Sequence, residues 1–146
     1  MSQHTQVSTP PLVAASATEA YISILYGDSA LACALAVSAQ NLKRIDPVRE
    51  RRLYAWNISS ETEGILQSSG WNVEVIDDPG GLWWRKLPIL RAPYSRVVFF
   101  DADNFVMPAA RMDLLWALPR NVTFGLPDWP AGCLNGGGAW LPQRSA

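Results

Sequence analysis

From its amino end, the chain alternates short apolar runs with longer amphipathic stretches. Ala20–Tyr26 (AYISILY) is apolar and rich in β-formers, and it stops at Gly27-Asp28, a turn signal. Ser29–Lys43 (SALACALAVSAQNLK) is apolar over most of its face, the pattern of a helix laid on a sheet. Asp28 or Ser29 is placed to cap that helix, and Pro47 lies beyond its end. Arg52–Trp56 predicts a second strand, Thr62–Ser69 a second helix stopped by Gly70, and the alternating Trp71–Ile76 (WNVEVI) a third strand. After Asp78-Pro79-Gly80-Gly81, Leu82–Leu90 predicts a partly helical segment despite Pro88. Arg96–Phe100 is almost continuously apolar, as a central strand buried on both faces would be. Beyond Asp103 the pattern loosens into a short helix at Met112–Ala117, an apolar piece at Val122–Leu126 and a core strand at Gly138–Leu141.

Strands and helices in strict alternation predict an α/β fold, Rossmann-like, with a mostly parallel sheet and helices on both faces. A length of 146 residues suits one domain, expected over 19–146. Met1–Thr18 is rich in Ser, Thr, Pro and Ala, holds no Lys or Arg, and is expected to be a disordered leader. It has neither the basic start nor the long apolar centre of a signal peptide. The expected location is therefore cytoplasmic by default, with the Golgi left open. The sequons Asn57-Ile58-Ser59 and Asn121-Val122-Thr123 would matter only in a luminal chain. No apolar run is long enough for a transmembrane segment. A formal net charge of −1 argues against a nucleic-acid partner, which selects a basic patch or stripe. Cys33 and Cys133 have no metal-ligand spacing, and each is expected as a small buried hydrophobe. The seven tryptophans are expected mostly in the core or its walls, with one or two available as a ligand platform.

The stretch RVVFFDADNFVM changes this generic picture, because an apolar strand runs straight into two aspartates. Ligands of open parallel sheets sit beyond the carboxyl ends of the strands, where Asp101 and Asp103 lie. Side chains two apart on an extended segment point the same way, so both carboxylates can face one point. Two like charges together call for a cation or a proton. A divalent ion that prefers oxygen, Mn²⁺ or Mg²⁺, answers that need and can hold a diphosphate in turn. The plain alternative is a solvated loop with two surface aspartates.

Four blocks then resemble, in order, the amino-terminal part of glycosyltransferase family 8, the group of glycogenin and plant glucuronosyltransferases. AYISILYGDSALACALAVSAQNL is similar to that family's opening strand, base-binding loop and first helix. WWRKLPIL resembles its lysine segment, YSRVVFFDADNFVM its Asp-Ala-Asp strand, and CLNGGGAWLPQ its Asn-Ser-Gly segment. The resemblance spans Ala20 to Gln143 and implies a nucleotide-diphospho-sugar transferase fold of the glycosyltransferase-A type. It further implies a retaining hexosyltransferase with a UDP-sugar donor and a glycan, protein or lipid acceptor. Leu25, Tyr26, Gly27 and Asp28 would line the uracil and ribose pocket, and Asp101 and Asp103 would hold Mn²⁺ against the diphosphate. Ala102 would let the nucleotide lie close to the backbone. Lys86 would offset charge on the leaving diphosphate, Asn135 would orient the sugar, and Gly136, Gly137 and Gly138 would admit it close to the chain.

Some positions depart from the family. Gly27 and Ala30 stand where Asn or Ser and Tyr are usual, and Asn-Gly-Gly replaces Asn-Ser-Gly. The family's later Asp-Gln and His-x-x-Gly-x-x-Lys-Pro-Trp segments have no counterpart here, and His4 is the sole histidine. The chain is accordingly expected to be truncated at its carboxyl end. A noncatalytic nucleotide-sugar-binding or interaction module of the same fold is the alternative. A phosphatase of the haloacid-dehalogenase type also uses Asp-x-Asp. Its motif opens the domain, however, and carries Thr or Val where Phe105 stands.

Overall fold

The computed structural model of the protein describes residues 19–77, 86–110 and 112–117, and the backbone of 138–142. Among the described residues nine elements follow one another: β1 (Glu19–Tyr26), α1 (Leu31–Ile45), β2 (Glu50–Trp56), α2 (Ser60–Ser69), β3 (Asn72–Val75), α3 (Leu87–Arg91), β4 (Arg96–Phe100), α4 (Met112–Trp116) and β5 (Gly138–Pro142). The sheet order is β3-β2-β1-β4-β5. The first four strands are mutually parallel and β5 runs antiparallel to β4. The mostly parallel sheet expected from the alternation of elements is thus present.

Burial explains the layering. Ala32, Leu35, Ala39 and Leu42 recur at helical spacing along α1 and are buried, joining Tyr21, Leu25, Leu53, Leu66 and Phe100 on one face of the sheet. The other face gathers Ala20, Ile22, Tyr54, Trp56, Val97 and Phe99 beneath Ile89 of α3, with Ala92 and Tyr94 just after it. β4 is buried at all five positions, as its apolar run Val97–Phe100 requires, with Arg96 buried at its start. Helices therefore cover both faces. No helix among the described residues is long and apolar enough to cross a membrane.

Several local expectations are corrected. Of the two residues expected to cap α1, Ser29 does so, its Oγ accepting the N–H of Leu31, the first helical residue, at 3.3 Å, and Asp28 does not. Asp28 serves α2: its carboxylate accepts the Ser59 N–H at 2.9 Å, while Ser59 Oγ accepts from Thr62 N at 3.2 Å. These are the two bonds of a capping box, with the reciprocal acceptor supplied by a neighbouring loop rather than by the helix's own third residue. α3 begins only at Leu87, so Pro88 falls in its first turn, where its missing N–H costs nothing. Cys33, expected inside, lies exposed on α1. Trp56, Trp71 and Trp116 are core residues as anticipated, whereas Trp83, Trp84, Trp129 and Cys133 lie outside the described residues.

Two polar assemblies fasten the layers. At the amino ends of the strands, Glu19, Tyr21, Asp46, Arg49, Arg96 and Trp116 form one connected set of hydrogen bonds and ion pairs. Toward the carboxyl ends, the fully buried Ser23 donates its hydroxyl proton to the Phe100 carbonyl at 2.7 Å. Ser23→Ala removes that tie between β1 and β4 and is expected to cost about 1 kcal/mol. Urea unfolding should register it as a midpoint lower by roughly half a molar with an unchanged slope.

Candidate active site

The crevice is a consequence of strand register. β1 and β4 pair from Glu19↔Arg96 to Ile22↔Phe99, and the ladder then stops. β1 nevertheless continues beside β2 as far as Tyr26↔Trp56. The last four residues of β1 thus part from β4 at the point where the strand order reverses, the switch point at which open α/β sheets bind ligands.

On the β1 side, Leu25 is buried in the core, so its side chain does not line the crevice. Tyr26 is half exposed. Gly27 turns the chain with φ +69°, a conformation that favours glycine, and its N–H donates to the Trp56 carbonyl at 2.8 Å. Asp28, fully exposed, is held in place by Ser59, and the Ser59 N–H is the main cause that lowers its pKa. The β1–α1 and β2–α2 loops are in this way tied into one rim.

On the β4 side, the aspartates leave the strand sooner than expected. The Asn104 N–H donates to the Asp101 carbonyl at 2.9 Å, so Asp101–Asn104 is a turn and not an extended segment. Asp101 is a quarter exposed and Asp103 is exposed, with Ala102 buried between them. Lys86, at the start of α3, reaches Asp101 Oδ2 with its Nζ at 3.0 Å and lies 5.3 Å from the centre of the Phe99 ring. Lysine and aspartate blocks fifteen residues apart in sequence are therefore brought together. Burial raises the Asp101 pKa, the ammonium of Lys86 opposes that rise without cancelling it, and the charge of Asp103 adds to it. The carboxylate is short of positive charge even with Lys86 beside it.

Sequence reasoning missed what holds the turn from behind. Ser38 and Asn41, both buried on α1, grip Val106. Ser38 Oγ accepts the Val106 N–H at 3.1 Å and Asn41 Nδ2 donates to the Val106 carbonyl at 2.8 Å. The signal was available: these two polar residues share the helix face of Leu35 and Leu42, where apolar residues are the rule.

Asn135, Gly136 and Gly137 lie outside the described residues. Among the described residues, no group of three or more His, Cys, Asp or Glu side chains is placed to hold a metal ion. The donors on hand are the two carboxylates. Oxygen donors of this kind suit Mg²⁺ or Mn²⁺.

No family model and no curated protein sequence matches the chain. Solved structures do. The galactosyltransferase LgtC in complex with donor and acceptor sugar analogues is similar over 84% of this chain and 57% of its own, with a TM-score of 0.54 and 17% identity. The apo-form glycosyltransferase GlyE of Streptococcus pneumoniae is similar over 84% of this chain and 34% of its own, at a TM-score of 0.59 and 18% identity. The mannosyltransferase PcManGT of Pyrobaculum calidifontis, in complex with GDP-Man and Mn²⁺, covers 83% of this chain and 44% of its own, with a TM-score of 0.55 and 14% identity. The chain spans little more than half the length of LgtC. Identities this low establish the architecture, which is the α/β fold of the glycosyltransferase-A type.

Proposed function

We propose that this chain supplies the donor site of a Mn²⁺-dependent glycosyltransferase that takes a UDP-sugar. The observation that carries the reading is the Lys86–Asp101 ion pair at the carboxyl end of β4, beside the point where the β1–β4 ladder stops. Support comes from the shared fold and from the four sequence blocks that resemble glycosyltransferase family 8. A hexose-type donor and retention of anomeric configuration belong to the same proposal, as do the roles of Asn135, Gly136 and Gly137. The acceptor, whether glycan, protein or lipid, belongs to a part of the reaction these residues do not define. The Asp pair follows the fourth strand rather than the first, which disfavours the phosphatase reading.

Each residue then has a definite task. Asp101 and Asp103 hold the divalent ion, which when bound neutralises charge on the departing diphosphate. Lys86 pairs with Asp101, and its partly exposed ammonium can turn from that carboxylate to a phosphate oxygen. Ala102, its methyl packed in the core, leaves the backbone of the turn open to the nucleotide, and the Gly27 turn brings backbone close to the base. Charge stabilisation by positioned groups is the main demand of this chemistry, and the described side chains are of that kind.

Calorimetric titration with UDP, with and without Mn²⁺, tests the proposal. Binding is expected only with the metal, and Asp103→Ala is expected to weaken it by at least about tenfold, to a residual affinity sustained by Asp101. A folded chain that takes up UDP equally well without Mn²⁺, or not at all, refutes the reading.

A further inference from the structure

The turn that carries the two carboxylates is short and is fixed at both ends. At its start, Phe100 belongs to β4 and its carbonyl takes the hydroxyl of the buried Ser23. At its end, Val106 is buried, and both of its backbone polar groups are bound by side chains of α1. Between these points, the Asn104 N–H braces the turn against the Asp101 carbonyl. Asp101 follows the first anchor directly and is further held by Lys86. Asp103 is exposed, lies three residues before the second anchor, and depends on that anchor more than Asp101 does.

Ser38 and Asn41 look like an expensive choice for the inner face of a helix. A buried amide or hydroxyl gives stability only when it is fully paired, and an apolar residue of similar size does the same packing without that condition. The groups do not serve α1 itself, since both bonds cross to a loop more than sixty residues away. They do to Val106 what a neighbouring strand would do, with side chains in place of a ladder.

Resting on the donor-site reading above, we infer that Ser38 and Asn41 are positioning residues that set the place of Asp103 and so the affinity of the site for its divalent cation. They touch neither cation nor nucleotide. They act through Val106 by limiting where the Asp103 carboxylate can go.

Mn²⁺ binding to the purified chain, followed by the electron paramagnetic resonance of free Mn²⁺ below the melting temperature of each variant, tests this. Asn41→Ala is expected to weaken Mn²⁺ binding by about five- to tenfold and Ser38→Ala by a smaller factor; Ser38→Ala carries the test if Asn41→Ala does not fold. The decisive comparison is made on Asp103→Ala, where adding Asn41→Ala is expected to change the residual affinity less than about twofold, because coupled residues are not additive. A merely structural role would give the same loss on both backgrounds, and that result overturns the inference. So does parental affinity in both single variants. A parent chain that binds no Mn²⁺ overturns the donor-site reading, and this one with it.

Discussion

Asp101→Asn is expected to abolish Mn²⁺-dependent UDP binding and, in the same protein, to raise the melting temperature. The two effects have one cause. Burial is the largest influence on the Asp101 carboxyl and raises its pKa, Lys86 pulls it down, and the Asp103 charge pushes it up again, with a net rise. A carboxyl whose folded pKa is raised adds stability below its unfolded pKa and loses that contribution as pH climbs through the folded value. At neutral pH, then, the ionised carboxylate is a net cost to the fold, in spite of a lysine at 3.0 Å. Asparagine has nearly the same shape and no charge, so the cost disappears. Lys86, its side chain 41% exposed, returns to water at little expense.

Thermal unfolding at pH 7 should show the variant melting above the parent. The gap should close as pH falls below about 4, where the carboxyl is protonated in both states. Titration with UDP and Mn²⁺ should show affinity reduced by at least about a hundredfold, equivalent to ~3 kcal/mol. A surface aspartate without a role would give neither result, and a purely structural one would give a lower melting temperature. Saturating Mn²⁺ and UDP should stabilise the parent and leave the variant unmoved, since only a ligand that binds the folded state raises its stability.

How far the sequence showed this can be judged element by element. The alternation of strands and helices was legible because periods of 2 and 3.6 differ, and β4 was legible because the apolar run Val97–Phe100 fits a strand covered on both sides. The position of the Asp pair at a strand end followed from the same run. What the period could not give was anything set by a contact between distant segments. Asp28 reads as a cap for the helix that follows it, yet β2 lies beside β1 and brings Ser59 within reach first. Ala-rich α1 has so many apolar positions that its inner face is ambiguous, and Cys33 was placed on the wrong side of it. The Asp101–Asn104 turn was hidden because a strand pattern says where pairing begins and not where the backbone bends. Ser38 and Asn41 were visible as polar breaks in an apolar stripe, but their partner is a backbone group that no side-chain pattern marks.

Arg96→Met is expected to have the opposite profile to Asp101→Asn: a large loss of stability with cation and nucleotide affinity retained. Arg96 is 6% exposed at the start of β4, in register with Glu19 at the start of β1. Its guanidinium donates to Glu19 at 3.1 Å and to the Trp116 carbonyl at 2.9 Å, and it lies 5.5 Å from the centre of the Trp116 ring. Glu19 also pairs with Arg49 at 2.8 Å, Arg49 with Asp46 at 2.7 Å, and Tyr21 joins Asp46 to the Trp116 indole. Removing one member of such a buried pair costs about 3–5 kcal/mol, and the lower end applies because Glu19 keeps Arg49. The melting temperature should fall by roughly 10 °C. The same brace limits the pH range of the parent. Burial pushes the Asp46 carboxyl up, but the hydrogen bonds from Tyr21 and Arg49 and the Arg49 charge outweigh it, and the net shift is down. Its contribution is therefore present above the ordinary carboxylate range and is lost as pH falls through the lowered value. Burial, joined by the bond to Asp46, raises the Tyr21 phenol, whose contribution is full below about pH 10 and lost as pH rises past its folded value. Stability should accordingly be flat between about pH 5 and 9 and fall on both sides, and Arg96→Met should lower that plateau. Affinity for Mn²⁺ and UDP, measured well below the variant's melting temperature, should match the parent, because the brace grips the amino ends of the strands and the crevice opens at their carboxyl ends. Equal losses in stability and affinity would mean that the two ends of the sheet are mechanically coupled, and the assignment of Arg96 to the fold alone would be wrong.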